Sequence, residues 1–147
     1  MPDTYVACSM SSLSREEYEG YRITLLAVCD AIDTTGRIAY RAPFENTGGF
    51  HGPAEALSHN LAALETASSL LYIHTREEAS SALIELGYAL KRRIPIIVLA
   101  KEGVPLPFYL RDADVAATFD MTIASFSNEE DLPIYVWQVL ANEHQVH

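Results

Sequence analysis

Glu85 is the residue whose type and setting ask for a chemical explanation. It lies in Ser80-Ser81-Ala82-Leu83-Ile84-Glu85-Leu86-Gly87-Tyr88-Ala89-Leu90, which runs through basic residues into Ile94-Pro95-Ile96-Ile97-Val98-Leu99. The spacing predicts a short amphipathic helix feeding a buried strand. A lone carboxylate among apolar residues near a helix start is costly to bury unless it is paired or does chemistry. Helical side chains lean toward the N-terminus, so Glu85 points at the mouth of the sheet, where α/β folds bind ligands. A carboxylate there suits a nucleophile or a general acid/base. On a helical wheel Ala79, Ala82, Leu83, Leu86 and Leu90 form the expected core face. Glu85 stands at its flank beside Ala82 and Ala89, small residues that leave room for a ligand. The competing structural reading is a boundary carboxylate held by Arg92, Arg93 or a hydroxyl.

Other candidates lie in the loops. Ser9, Ser11 and Ser12 follow the first apolar run and, with the free N–H groups of a helix start, form a donor-rich cradle suited to phosphate. Serine is also common in ordinary strand-to-helix loops, and neither a Walker lysine nor Gly-x-Gly-x-x-Gly is present. His51, in Gly48-Gly49-Phe50-His51-Gly52-Pro53, sits in a loop placed to close over a site, or simply in solvent. Arg111, in Arg111-Asp112-Ala113-Asp114, is either a ligand contact or part of a charged turn. No His or Cys spacing matches a metal motif, and no residue pattern asks for a cofactor.

The elements that must position these residues alternate along the chain. Strands are expected at Tyr5–Cys8, Arg37–Arg41, Leu70–His74, Ile94–Leu99 and Ala117–Ile123, the second weaker than the first and the last more polar. Between them, Ser14 and Glu17 form a capping box opening a helix through Tyr18, Tyr21, Leu25, Val28, Cys29 and Ile32, which Thr35-Gly36 ends. Residues 42–53 read as a flexible loop, and Leu57, Leu61 and Leu64 mark the next helix. Asn128 opens a last helix carrying Leu132, Val136, Val139 and Leu140. Five strands with intervening helices predict a flavodoxin-like three-layer α/β sandwich, with a five-stranded parallel sheet in the order 2-1-3-4-5. The switch point then brings the serine loop and the turn before Ser80 together.

The totals bound the rest. The 147 residues suit one domain spanning 1–147, and 49% hydrophobic with 20% charged residues fits a globular chain. No apolar stretch reaches membrane-spanning length, and the start shows no leader pattern, so a cytoplasmic location is expected. Cys8 and Cys29 read as reduced core thiols. A formal net charge of −10 repels nucleic acid and anionic membranes, so any anionic ligand must be held by local donors. Ile84 and Tyr88 form an i, i+4 pair away from the core face, which predicts a homodimer through that helix.

Tyr5-Val6-Ala7-Cys8-Ser9-Met10-Ser11, the strand-turn from Leu71 to Ser81, and Glu85-Leu86-Gly87-Tyr88-Ala89 together resemble the nucleoside 2-deoxyribosyltransferase superfamily, which includes 2′-deoxynucleoside 5′-monophosphate N-glycosidases. The similarity spans most of residues 4–115. It implies that Glu85 attacks C1′ of the sugar while the base leaves, and that Tyr5 orients the nucleophile. It further implies that Ser9, Ser11, Ser12 and Ser81 hold phosphate. Three positions depart from the family pattern: Ala79 stands where an Asp or Ser precedes the Glu by six residues, Asn60 where an Asp contacts base or sugar, and Pro107 where a Ser binds phosphate. Ser80 and Glu85 also satisfy the Ser-x-x-x-x-Glu spacing of Toll/interleukin-1 receptor (TIR) domains, whose enzymatic members cleave NAD. The resemblance implies N-glycosidic bond cleavage of a nucleoside or nucleotide. A TIR-like NAD glycohydrolase and a non-catalytic nucleotide-sensing module are the alternatives.

Overall fold

A computed structural model describes residues 3–8, 10, 13–45, 51–77 and 80–145. The elements run β1 (Thr4–Cys8), α1 (Arg15–Thr34), α2 (Ala42–Glu45), α3 (Pro53–Thr66), β2 (Ser69–His74), α4 (Ser80–Arg92), β3 (Ile96–Lys101), α5 (Ala113–Thr118), β4 (Met121–Phe126) and α6 (Leu132–Gln145). The strands pair in parallel in chain order, β1-β2-β3-β4.

Period-two alternation sends each strand's side chains to two separate cores. Val6, Leu71, Ile73, Ile97 and Leu99 pack with Leu25, Val28 and Ile32 of α1 and Leu132, Val136 and Leu140 of α6. Tyr5, Ala7, Leu70, Tyr72, Ile96 and Val98 face the other way, toward Leu64 of α3 and Ala82, Leu86 and Ala89 of α4. Burial on both faces explains why Leu70 to His74 reads as a continuous apolar run rather than an alternating one.

The described residues form an α/β sandwich on a four-stranded sheet, which overturns the expected five strands and their order. Arg37–Arg41, the expected second strand, contributes only an isolated parallel bridge, Thr4 to Ala39. Side-chain carboxylates hold two of this segment's backbone donors. The Ile38 N–H donates to Asp3 Oδ2 at 3.1 Å and the Ala39 N–H to Asp33 Oδ1 at 3.0 Å. Arg41 then pairs with Asp30 and Asp33, and α2 begins at the next residue. The same α2 turn replaces the start of the loop expected over 42–53.

The other differences are local, and β3 runs Ile96–Lys101 rather than from Ile94 to Leu99. The last strand starts at Met121 rather than Ala117, because Asp112 caps α5 by accepting from the Asp114 N–H, and Asp120 turns the chain at φ 50. On α4 the buried stripe is Ala82, Leu86 and Ala89, whereas Leu83, expected in the core, is 37% exposed. Small residues at both ends of the stripe let the helix settle onto them, turning Leu83 outward. At α1 the Ser14 hydroxyl accepts from the Glu17 N–H at 3.2 Å, and Gly36 takes the left-handed turn at φ 87 that follows the helix.

Candidate active site

Glu85 sits between Ala82 and Ala89 on the sheet side of α4, partly buried where the helix crosses β1 and β2. Tyr5, on the facing side of β1, is 1% exposed. Its phenol neighbours the Glu85 carboxylate, and each shifts the other's titration. The basic residues at the end of α4 are engaged elsewhere. Arg92 donates to the Leu64 and Ala67 carbonyls at 2.6 and 2.8 Å, closing the C-terminal end of α3, and the Arg93 guanidinium lies 4.5 Å from the Phe119 ring centroid.

Burial raises the Glu85 carboxyl from 4.5 to about 7, with the neighbouring Tyr5 phenol, a proton donor to the anion, pulling the other way. Burial also drives the Tyr5 phenol far above its ordinary range, and the Glu85 charge and hydrogen bond add to the rise. Tyr5 therefore stays a proton donor wherever the protein is folded. Near neutrality the carboxylate exists in both forms, and the anion is a poorly solvated nucleophile or a stabiliser of positive charge.

Two more polar side chains join the pair. The Tyr40 ring stacks on Tyr5 with centroids 5.2 Å apart and 20° between planes. Its hydroxyl donates to Asn60 Oδ1 on α3 at 3.1 Å. Burial, then the Glu85 charge, raises the Tyr40 phenol. Glu85, Tyr5, Tyr40 and Asn60 thus form one continuous cluster from α4 through β1 to α3.

The fold that carries this cluster is shared with a nucleotide-cleaving enzyme. The structure of Clostridium botulinum CMP N-glycosidase, BcmB, aligns with a TM-score of 0.68 over 95% of this chain and 98% of that one, at 16% sequence identity. At that identity the likeness is one of fold. No family model matches the sequence, and no curated protein matches it.

Ser9, Ser11 and Ser12, and also Ala79, lie outside the described residues. Ser80 opens α4, and Ser81 is exposed in its first turn. His51 is exposed ahead of α3, where its backbone N–H donates to Glu55 Oε2 at 2.7 Å. Arg111 spends its Nε–H on the Leu106 carbonyl at 2.7 Å and lines a cleft of about 440 Å³ with Phe108, Tyr109, Asp112, Ala113 and Val115, a lining without Glu85 or Tyr5.

Sequence reasoning missed Tyr40 and a buried histidine. His74, 1% exposed at the end of β2, meets the Tyr72 hydroxyl through Nδ1 at 2.7 Å and the Pro105 carbonyl through Nε2 at 2.8 Å. A carbonyl only accepts, so Nε2 carries a hydrogen, and in the neutral ring Nδ1 accepts from Tyr72. This ties the loop after β3 to the C-terminal end of β2. A polar residue closing an otherwise apolar strand was the available signal. Among the described residues no group of three or more His, Cys, Asp or Glu side chains could hold a metal ion. None of the described helices is long and apolar enough to cross a membrane.

Proposed function

We propose that this protein cleaves the N-glycosidic bond of a nucleoside or nucleoside monophosphate, with Glu85 acting at C1′ of the sugar. The observation that carries this reading is the Glu85–Tyr5 pair: a partly buried carboxylate beside a buried phenol, on the fold of a CMP N-glycosidase. A structural carboxylate at this depth would be expected to claim Arg92, which points elsewhere.

In this reading a Glu85 oxygen bonds to C1′ as the C1′–N bond breaks. The electron pair departs with the base, which takes up a proton. The developing positive charge on the sugar is stabilised by a carboxylate already stripped of much of its water. Water then adds to C1′ and gives up a proton, and the ester to Glu85 breaks to regenerate the carboxylate. A second base in place of water gives transfer instead of hydrolysis. Tyr5 holds one carboxylate oxygen by donating to it, leaving the other to face the sugar. Asn60 and Ser81 are the described candidates for contacts to the sugar, base or phosphate.

The test is a substrate panel. The protein is incubated with nucleosides, nucleoside monophosphates and NAD, and released or exchanged base is followed by chromatography. Base release from monophosphates is the expected result. Exchange selects a transferase, and nicotinamide release selects NAD cleavage. Ligand binding with no product would mean that the site senses a nucleotide without turning it over.

A further inference from the structure

The segment that fails as a strand has another role in the structure. Residues 37–41 carry Tyr40 to the Tyr5 ring, and the chain is fastened on both sides of it. The Tyr40 N–H donates to the Thr4 carbonyl at 3.0 Å, and the Ala39 N–H is held by Asp33. Arg41 Nη1 meets Asp30 at 2.9 Å, and its Nη2 meets Asp33. The side chain is then fixed at its far end, where the hydroxyl donates to Asn60 on α3. A residue that only filled space between β1 and α3 would need neither a ring parallel to Tyr5 nor a tethered hydroxyl.

We propose that Tyr40 is a positioning residue for the Tyr5–Glu85 pair: stacked on the Tyr5 ring and tethered by Asn60, it holds the Tyr5 phenol in the orientation that reaches Glu85. Tyr5 needs such a brace because a tyrosine side chain swings its hydroxyl through a wide arc about two torsions. The offset, near-parallel contact at 5.2 Å blocks that swing on one face. The catalytic meaning of this role rests on the glycosidase reading, whereas its structural meaning does not.

The test reads Glu85 directly. The groups that sense its charge are Tyr5, Tyr40 and Cys8. With the side-chain carboxyls isotopically labelled, NMR follows the Glu85 titration in the native protein, Tyr5→Phe, Tyr40→Leu and the double variant. The native midpoint is expected at about 7. Tyr5→Phe removes the donor to the anion and should move the midpoint up by roughly one pH unit. Tyr40→Leu keeps most of the volume but cannot stack, and should also move it up. In the Tyr5→Phe background it should add almost nothing, because its effect passes through that phenol. Tyr40→Phe, which retains the ring, should stay nearest the native value. If Tyr40→Leu does not fold, Asn60→Ala removes only the tether and should give a smaller upward move.

A native midpoint in Tyr40→Leu, or an undiminished further shift when it is added to Tyr5→Phe, overturns the proposal. Base release across pH on the same variants separates the two ideas. An acid limb that follows the Glu85 midpoint supports both. A Tyr40-dependent midpoint in a protein that releases no base supports the positioning role and rejects the glycosidase reading.

Discussion

The pairing of Tyr5 with Glu85 joins the second residue of β1 to the second turn of α4, and it acts in opposite senses on its two ends. It lowers the carboxyl that burial has raised, and it raises a phenol that burial has already raised further. The outcome is a carboxylate poised near neutrality beside a donor that does not ionise.

Replacing Glu85 with Gln keeps the side chain's shape and a hydrogen-bond acceptor for Tyr5 but removes charge and nucleophilicity. Base release should fall by roughly 10³-fold or more, because the carboxylate acts mainly on a cationic transition state, while ligand affinity changes little. Single-turnover assays and calorimetry on the same preparation check both parts. Retained turnover, with deamidation back to Glu excluded by mass spectrometry, would place the chemistry on another residue.

The pH profile follows from the same group. In the proposed mechanism the ionised form attacks, and burial raises the carboxyl to about 7. On the acid side kcat/KM should therefore drop about tenfold per pH unit and level off above neutrality. A profile flat from about pH 5 to pH 8 would be incompatible with Glu85 as the anionic nucleophile.

Stability should show the opposite dependence. The folded carboxyl titrates at about 7 and the unfolded one near 4.5, so the folded state binds more protons between these values. Stability contributed by this group is complete below the unfolded value and is lost as pH rises to the folded one. Glu85→Gln should thus be more stable than the native chain by roughly 1–3 kcal/mol at about pH 8, with the gap closing near pH 4. Urea denaturation at both pH values tests the sign. A gap that widens toward acid would show that burial does not raise this carboxyl.

The outer face of α4 leads to a separate expectation. Ile84 is 59% exposed there and Leu57 on neighbouring α3 46%, whereas Tyr88, expected to share that face, is half-buried against the core beneath α4. We propose that this apolar surface is covered by a second copy of the chain. Native protein should sediment as a dimer, and Ile84→Asp should sediment as a monomer, because an unpaired charge in a dry interface is strongly penalised. A native monomer at high concentration would dispose of the idea.

Much of the architecture is legible in local sequence. Continuous apolar runs such as Leu70–His74 mark strands covered on both faces, the Ser14–Glu17 box marks the start of α1, and Glu85 stands out as a carboxylate among apolar neighbours. These signals are readable because burial and capping are imposed over a few residues at a time. Tyr40 was not legible, since nothing beside it in the chain reveals that its ring meets Tyr5, 35 positions away. The outward turn of Leu83 was hidden for a related reason, because a helical wheel does not show how closely small residues let α4 approach the sheet.

By itself, then, the sequence determined that parallel strands alternate with helices and that one carboxylate is set among apolar side chains, because periodicity and the cost of desolvation are properties of short segments. Only the tertiary structure decided that the sheet has four strands among the described residues, that Arg92 turns to α3, and that Glu85 meets Tyr5. Each of those outcomes is a competition for one donor or acceptor between groups distant in the chain. Asp3 and Asp33 took the amides of Ile38 and Ala39, the Leu64 and Ala67 carbonyls took Arg92, and the Tyr5 phenol came to lie beside Glu85. Such competitions are settled by proximity, which exists only once the chain has folded.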